Sequence, residues 1–403
     1  MKQLVKTFLF AATTIFFAFT LIKYPNDALE ASIRGLDMWW EVVFPSLLPF
    51  FITAELLLSF GVVKFLGVVF EPIMRPLFNV PGVGSFAWIM GMVSGYPTGA
   101  KLSVRLKEQK QISQLEAERL VAFTNSSSPL FIFGAISIGF FHDAKLGVLL
   151  AVCHYLGNAI TGICMRFYGR SKETYQKKES RKISLKRAFY AMHETRIKDK
   201  RPVGEIMGDA VINSIKTLVM VGGFIILFSV LNKMLFLIGV TPFIAIFFQS
   251  VLQFFFIPVE LALPFITGLF EITLGANMIS KENVDPFLAS VIVVSFILGF
   301  NGFSVQAQVA SIISKSNIRF YPYFFARILH GFIASILAIL LYKPLYLNRI
   351  ESSVKEMPVL NPSIDSQWVR ILDLLKEIGP LITIAAFGLA FLIMYRRFRY
   401  SKL

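Results

Sequence analysis

The stretch Ser94-Gly95-Tyr96-Pro97-Thr98-Gly99-Ala100-Lys101 decides the fold, because it interrupts a run that is otherwise apolar from residue 82 onward. Proline lacks an N–H donor and glycine disfavours a helix interior, so a regular helix stops here. Three further breaks have the same character: Thr124-Asn125-Ser126-Ser127-Ser128, Glu271-Ile272-Thr273-Leu274-Gly275-Ala276-Asn277, and Asn301-Gly302-Phe303-Ser304-Val305-Gln306-Ala307-Gln308. Around them the composition is that of a chain dissolved in lipid. Of 403 residues 55% are hydrophobic and 16% charged, with 42 Phe and a mean hydropathy of +0.66. These figures exclude an ordinary water-soluble globular protein and leave no room for a large soluble catalytic domain.

The sequence predicts an all-α polytopic membrane protein with about 10–12 membrane segments, some broken or re-entrant. Apolar segments fall near 4–22, 41–60, 62–80, 82–101, 119–141, 146–168, 217–238, 240–257, 258–277, 286–316, 323–346 and 378–396. The first, behind Lys2 and Lys6, reads as a retained helix, since it is long and lacks a small-residue cleavage site. Trp39-Trp40 reads as an interfacial anchor.

The net charge of +15 is concentrated. Residues 169–205 hold twelve Lys/Arg against five acids, and Arg396, Arg397, Arg399 and Lys402 add four basic groups at the end of the chain. Such clustering beside apolar segments is the positive-inside signature and suits anionic lipid, so no nucleic-acid partner is expected. With both clusters placed in the cytoplasm, the termini come out cytoplasmic and the near-neutral linker 347–377 falls outside. Cys153 and Cys164 share one apolar segment with no metal-ligand spacing, so neither a disulfide nor a metal site is expected. Lipase-type serine, zinc-protease and phosphate-loop motifs are absent, as is a paired DxD. The chain is not expected to be an enzyme, and no cofactor is implied.

Sliding the chain against itself by 176 residues superposes Gly99-Ala100 on Gly275-Ala276, Asn125 on Asn301 and His154 on His330. Only four His occur in the whole chain, so their coincidence carries weight. If each half contains an odd number of spans, the halves enter the membrane in opposite senses, which predicts two inverted-topology repeats.

In hydrocarbon every peptide N–H and C=O needs a partner, so polar breaks at membrane depth persist only when buried in protein or lining a wet cavity. A helix that restarts in mid-membrane exposes unpaired N–H groups and the positive end of its dipole, which suits an anionic solute. The candidate substrate-binding residues are therefore Ser94, Gly95, Tyr96, Thr98, Gly99, Lys101, Thr124, Asn125, Ser126, Ser127, Glu271, Thr273, Gly275, Asn277, Asn301, Gly302, Ser304 and Gln306. Helix packing by small residues is the competing reading of the same clusters. Glu271 suits proton or cation coupling, or else a paired structural charge; Glu55 is a weaker case of the same kind. Lys101 and Lys216 stand at predicted segment ends, where snorkelling to headgroups competes with meeting an anion. His154 and His330 read as helix-packing hydrogen-bonding residues.

The string Ala31-Ser-Ile-Arg-Gly-Leu-Asp-Met-Trp-Trp-Glu-Val-Val-Phe-Pro-Ser-Leu-Leu-Pro-Phe-Phe51, together with Ser94–Lys101, Thr124-Asn-Ser-Ser, Leu269–Ala276 and Gly299–Ser304, closely resembles the YlbJ-type sporulation integral membrane proteins of endospore-forming bacteria. The halves are similar to the paired gate, or nucleoside-recognition, modules shared more distantly with concentrative nucleoside transporters and ferrous-iron permeases. The resemblance implies a division into a first helix and linker (1–38), a first gate repeat (39–168), a basic loop (169–205), a second gate repeat (206–346), an extracytoplasmic linker (347–377) and a last helix with its tail (378–403). It also implies a role late in sporulation, carrying dipicolinic acid made in the mother cell across the outer forespore membrane. Two helix N-termini with Ser/Thr/Asn donors suit a planar dicarboxylate, with Tyr96 or Phe303 available to stack. A nucleoside-type carrier and a non-transporting protein of spore-envelope assembly are the alternatives. The coupling ion and the oligomeric state are left open.

Overall fold

The computed structural model describes residues 2–169, 185–314 and 316–348. The expected helix and tail at 378–403, nearly all of the linker 347–377 and part of the basic loop lie outside them. Among the described residues the chain is helical throughout and has no strand. In the first half, α1 (Lys2–Lys23), α2 (Pro25–Asp37) and α3 (Phe44–Ser59) lead to α4 (Val62–Phe78) and then to the short helices α5 (Gly84–Ser94), α6 (Thr98–Glu108) and α7 (Gln114–Thr124). A π-wound helix, Leu130–Phe140, and α8 (Ala144–Met165) complete that half.

Following α9 (Leu185–Lys198), the series repeats: α10 (Val203–Leu237), α11 (Val240–Phe254), α12 (Ala262–Phe270), α13 (Ile272–Lys281), α14 (Phe287–Phe300), α15 (Gly302–Ser314) and α16 (Phe320–Tyr342). Adding 176 to the bounds of α8, 144–165, gives 320–341, within one residue of α16, and the other elements follow with small offsets.

Among the described residues four helices are long and apolar enough to cross a membrane, or six if each bent pair counts as one span. The larger number of apolar segments read from the sequence thus resolves into a few full spans plus half-length helices. The segment 82–101 is not one span but two helices folded together. A Cβ on Gly91 of α5 would lie 3.2 Å from the Cα of Gly99 of α6, so the two backbones touch. In the second half Gly268 and Gly275 bring α12 and α13 together in the same way. By contrast α14 and α15 form one 28-residue span broken at Asn301. Between α3 and α4 the chain bends by 82° at Gly61, which adopts φ +79.

Side-chain ties at the two faces fix the sense of each half. On one face Glu118, in the first half of α7, accepts from Arg319 Nε and Nη2 at 2.8 Å each and from Tyr168 Oη at 3.1 Å, while Lys107, near the end of α6, donates to the Ser316 carbonyl. On the other, Tyr346 donates to Asp143 Oδ2 at 2.6 Å, and Phe287 packs on Phe141 and Tyr346. The start of α7 and the end of α15 therefore share a face, so the two broken spans run antiparallel. So do α8 and α16. The repeats are inverted, and residues equivalent by the 176 shift meet at the axis: Asn301 Nδ2 donates to the Asn125 carbonyl at 3.0 Å, and the His154 and His330 rings lie 4.8 Å apart.

Outside this bundle α2, α3 and α10 form an arm. Ser229 donates to the Ala31 carbonyl at 2.7 Å, Trp39 Nε1 to the Leu218 carbonyl at 2.9 Å, and Lys233 pairs with Asp27 at 3.0 Å. Trp39 thus packs inward over Gly222 rather than anchoring the interface, and Trp40 is the exposed partner. With 35 residues α10 is about 52 Å long, more than a bilayer core requires, and it begins beside α9.

Candidate functional site

A cavity of about 690 Å³ lies between the arm and the bundle, and all four sequence breaks reach it. Ser94, Gly95 and Tyr96 come from the α5–α6 tip, Ser128 from the second break, Glu271 and Thr273 from the α12–α13 tip, and Ser304 and Gln308 from α15. Opposite them stand Met38, Glu41, Val43, Pro45 and Leu47, with Val221 and Ile225 of α10. Phe131 and Phe140 add aromatic wall. The cavity is therefore mostly apolar with a few convergent polar groups, the usual make-up of a small-molecule site.

Each tip is built by local chemistry. Gly95 takes φ +82, open to glycine without strain, and a cis Tyr96–Pro97 peptide follows it. Gly91 and Gly99 both seat against the carbonyl of Thr124, which a Cβ on either would approach to 1.9 Å. Glu271 is the N-cap of α13: its carboxylate accepts from the Leu274 N–H at 2.8 Å and from Thr273 Oγ1 at 3.2 Å. Asn301 stands in the left-handed region at φ +73, which Asn tolerates better than most residues.

Behind the wall, the helix ends opened in mid-membrane are closed by side chains. Ser126 Oγ donates to the Gly91 carbonyl at 3.1 Å, Asn158 Nδ2 to the Phe123 carbonyl at 2.6 Å, and the Ser127 N–H to His154 Nε2 at 2.9 Å. Asn125 and Asn301 both donate to Tyr323 Oη, at 3.0 and 3.4 Å, and Gln306 Nε2 donates to the Phe300 carbonyl at 3.0 Å. Tyr96 Oη bonds Ser127 Oγ and also donates to the Leu298 carbonyl at 3.3 Å.

At the centre is a residue that the sequence reading passed over. Arg327, fully buried in α16, donates through Nη1 to the Asn125 carbonyl at 3.0 Å and to His330 Nδ1 at 3.1 Å. Through Nη2 it reaches Asn158 Oδ1 at 3.1 Å and the Ala122 carbonyl. It thereby caps the C-terminal carbonyls of α7, where the helix dipole is negative. No acidic side chain among the described residues pairs with it. Its signal was in the sequence, an arginine inside the apolar run Phe324-Phe-Ala-Arg-Ile-Leu-His330.

Of the candidate residues, Ser94, Gly95, Tyr96, Glu271, Thr273 and Ser304 line the cavity. Thr98, Gly99, Thr124, Asn125, Ser126, Ser127, Asn301, Gly302 and Gln306 are buried in the scaffold directly behind it. Gly275 packs on Gly268, and Asn277 lies half-buried along α13. Lys101 turns away from the wall and pairs with Glu55 at 3.1 Å, over the ring of Phe51. Lys216 is exposed in the middle of α10, not at a segment end. Ser128 and Gln308, at the ends of two quoted breaks but outside the candidate set, join the wall, as does Glu41, which lies in none of the breaks.

An inverted pair of broken-helix repeats that both reach one cavity is a plan shared with many secondary transporters. The first half matches the Gate family model, described as nucleoside recognition, over residues 40–142. Sporulation integral membrane protein YlbJ of Bacillus subtilis (strain 168) is 51% identical over 385 residues, which cover 95% of this chain and 94% of that protein. The chain belongs to the YlbJ family of sporulation integral membrane proteins. No solved structure matches it.

Proposed function

We propose that this protein is a carrier of a small organic anion, with dipicolinic acid as the substrate, moved from the mother cell across the outer forespore membrane during sporulation. The observation that carries the reading is the convergence of all four polar breaks on one cavity at the junction of arm and bundle. Four breaks used only for helix packing would have no reason to open on a common space. A cavity of about 690 Å³ accommodates a planar dicarboxylate with room for water. Tyr96, Phe131 and Phe140 offer ring contacts, whereas Phe303 is engaged with Phe270 and Phe300. The N-terminus of α6 carries no side-chain cap, and Gly95 and Tyr96 just before it line the cavity, so the positive end of its dipole favours one carboxylate on that side. Alternating access then exposes the cavity to each side in turn. The face bearing Tyr168 is the mother-cell side in this reading, because the basic stretch 169–205 that follows Tyr168 suits the cytoplasm.

Uptake of labelled dipicolinate into vesicles containing only this protein tests the reading. Time-dependent uptake that unlabelled dipicolinate suppresses is expected, and none above empty vesicles would refute it. One observation favours a second reading, a nucleoside: Glu271 offers a carboxylate acceptor suited to sugar hydroxyls, within a fold whose first half matches a nucleoside-recognition model. A ligand of the folded state raises the melting temperature. A rise with uridine and none with dipicolinate would move the assignment to nucleosides. Normal dipicolinate in spores of a strain lacking the protein would remove the dipicolinate reading and leave the nucleoside carrier and the envelope-assembly role.

A further inference from the structure

The two hairpin tips are equivalent by the 176 shift, and at their shared position they differ in charge: Gly95 in the first becomes Glu271 in the second. At the first tip no side chain caps the start of α6, and Ser94, Gly95 and Tyr96 line the cavity there. At the second, the Glu271 carboxylate itself occupies the place where an incoming anion would bind, bonded to the Leu274 N–H and to Thr273 Oγ1. Among the described residues no cation pairs with Glu271, and no Lys or Arg lines the cavity.

The groups facing Glu271 across the cavity are Tyr96 from the α5–α6 tip, Ser304 and Gln308 from α15, and Glu41 from the arm, which is also acidic. Arg327 is committed to the α7 carbonyls behind the wall. A dicarboxylate dianion entering this cavity would set its second carboxylate against a like charge in a poorly solvated space, and like charges at close range favour protonation of one partner.

We propose that Glu271 is the coupling group: it takes up one proton as the dicarboxylate binds and releases it with the substrate on the far side. Resting on the carrier reading above, this makes the protein a proton–dicarboxylate symporter. The protonated acid donates a hydrogen bond to the substrate carboxylate, so repulsion becomes attraction. The proton comes from water on the loading side and returns to water on the release side, and the loaded site gains one negative charge instead of two.

The test uses the full chain in vesicles with the membrane potential clamped and labelled dipicolinate on the loading side. Acidifying that side relative to the lumen should raise accumulation by about tenfold per unit of pH gradient at equilibrium. An internal pH dye should report one proton entering per substrate. Glu271→Gln keeps a carbonyl oxygen that can still cap α13 but lines the same cavity and cannot take up the proton, so whatever uptake it retains, measured against its own rate without a gradient, should lose the response to pH. Glu271→Asp should retain that response. Wild-type uptake that ignores the pH gradient and brings in no protons overturns the proposal while leaving the carrier reading intact, as does a full response in Glu271→Gln. Absence of any wild-type uptake refutes the carrier reading itself.

Discussion

Replacing Gly99 by Ala tests whether the close approach of the α5–α6 hairpin to the break after α7 holds the site together. The added Cβ would lie 1.9 Å from the Thr124 carbonyl oxygen, against an ordinary contact that begins at 3.4 Å, so the two backbones must part by about 1.5 Å (3.4 minus 1.9). Gly91 seats on the same oxygen, so both strands of the hairpin are carried along. Such a movement takes Tyr96 Oη beyond reach of the Leu298 carbonyl, now at 3.3 Å, and strains the 3.1 Å bond from Ser126 to Gly91. Overpacking of this kind costs about 1–3 kcal/mol, and one or two buried hydrogen bonds add about 1 kcal/mol each, for a total of about 2–5 kcal/mol. At about 2 °C per kcal/mol, the melting temperature of the purified protein should fall by roughly 4–10 °C. Gly204→Ala on α10, where nothing lies within 4 Å of an added Cβ, is the control and should be neutral or slightly stabilising. If Gly99→Ala melted with the wild type and transported normally, the packing account of the hairpin would be wrong.

Three further outcomes are expected. Arg327→Met strands four acceptors in the bundle core at about 1–3 kcal/mol each, so little protein should reach the membrane fraction; Arg327→Lys, with fewer donors, should fall between it and wild type. Wild-type abundance and melting of Arg327→Met would contradict its capping role. Asn301→Ala and Asn301→Gly both lose the bonds to Asn125 and Tyr323, but only Ala is strained at φ +73, so the Gly variant should be the more stable by about 1 kcal/mol in thermal melting. Outside the membrane, the Arg201 guanidinium bonded to Asp199 holds that carboxyl down at about 2. A depressed carboxyl stabilises the fold above its unfolded value of about 4, and the contribution is lost as pH falls towards 2. Asp199→Asn should therefore flatten the melting temperature against pH over that window, and an unchanged acid limb would show that the pair contributes nothing.

Much of the site's framework was legible because polar breaks in apolar runs are conspicuous and physically constrained. Asn125 and Asn301 stand at the axis where the 176 shift places equivalent positions, and Ser94, Tyr96, Glu271 and Ser304 reach the cavity. What sequence reasoning could not separate was wall from scaffold. Lys101 and Glu55 each looked like a functional charge, yet they neutralise each other, a pairing of positions 46 residues apart in the chain that no local pattern reveals. Glu41 was missed because a single polar residue on a helix declares nothing until its neighbours are known, and Gln308 was left out of the candidate set although it closes the fourth break.

The sequence alone determined that this chain lives in lipid, where its helices must break and that its halves repeat, because apolar length and backbone hydrogen-bond demand are properties of local segments. The tertiary structure decided that the repeats are inverted, that the four breaks share one cavity, that Arg327 closes the end of α7, and that Glu271 faces the space its counterpart Gly95 leaves open. Those are matters of which helix ends meet across the bundle, and in a membrane interior the partners for exposed backbone groups must come from other helices, since no water is there to supply them.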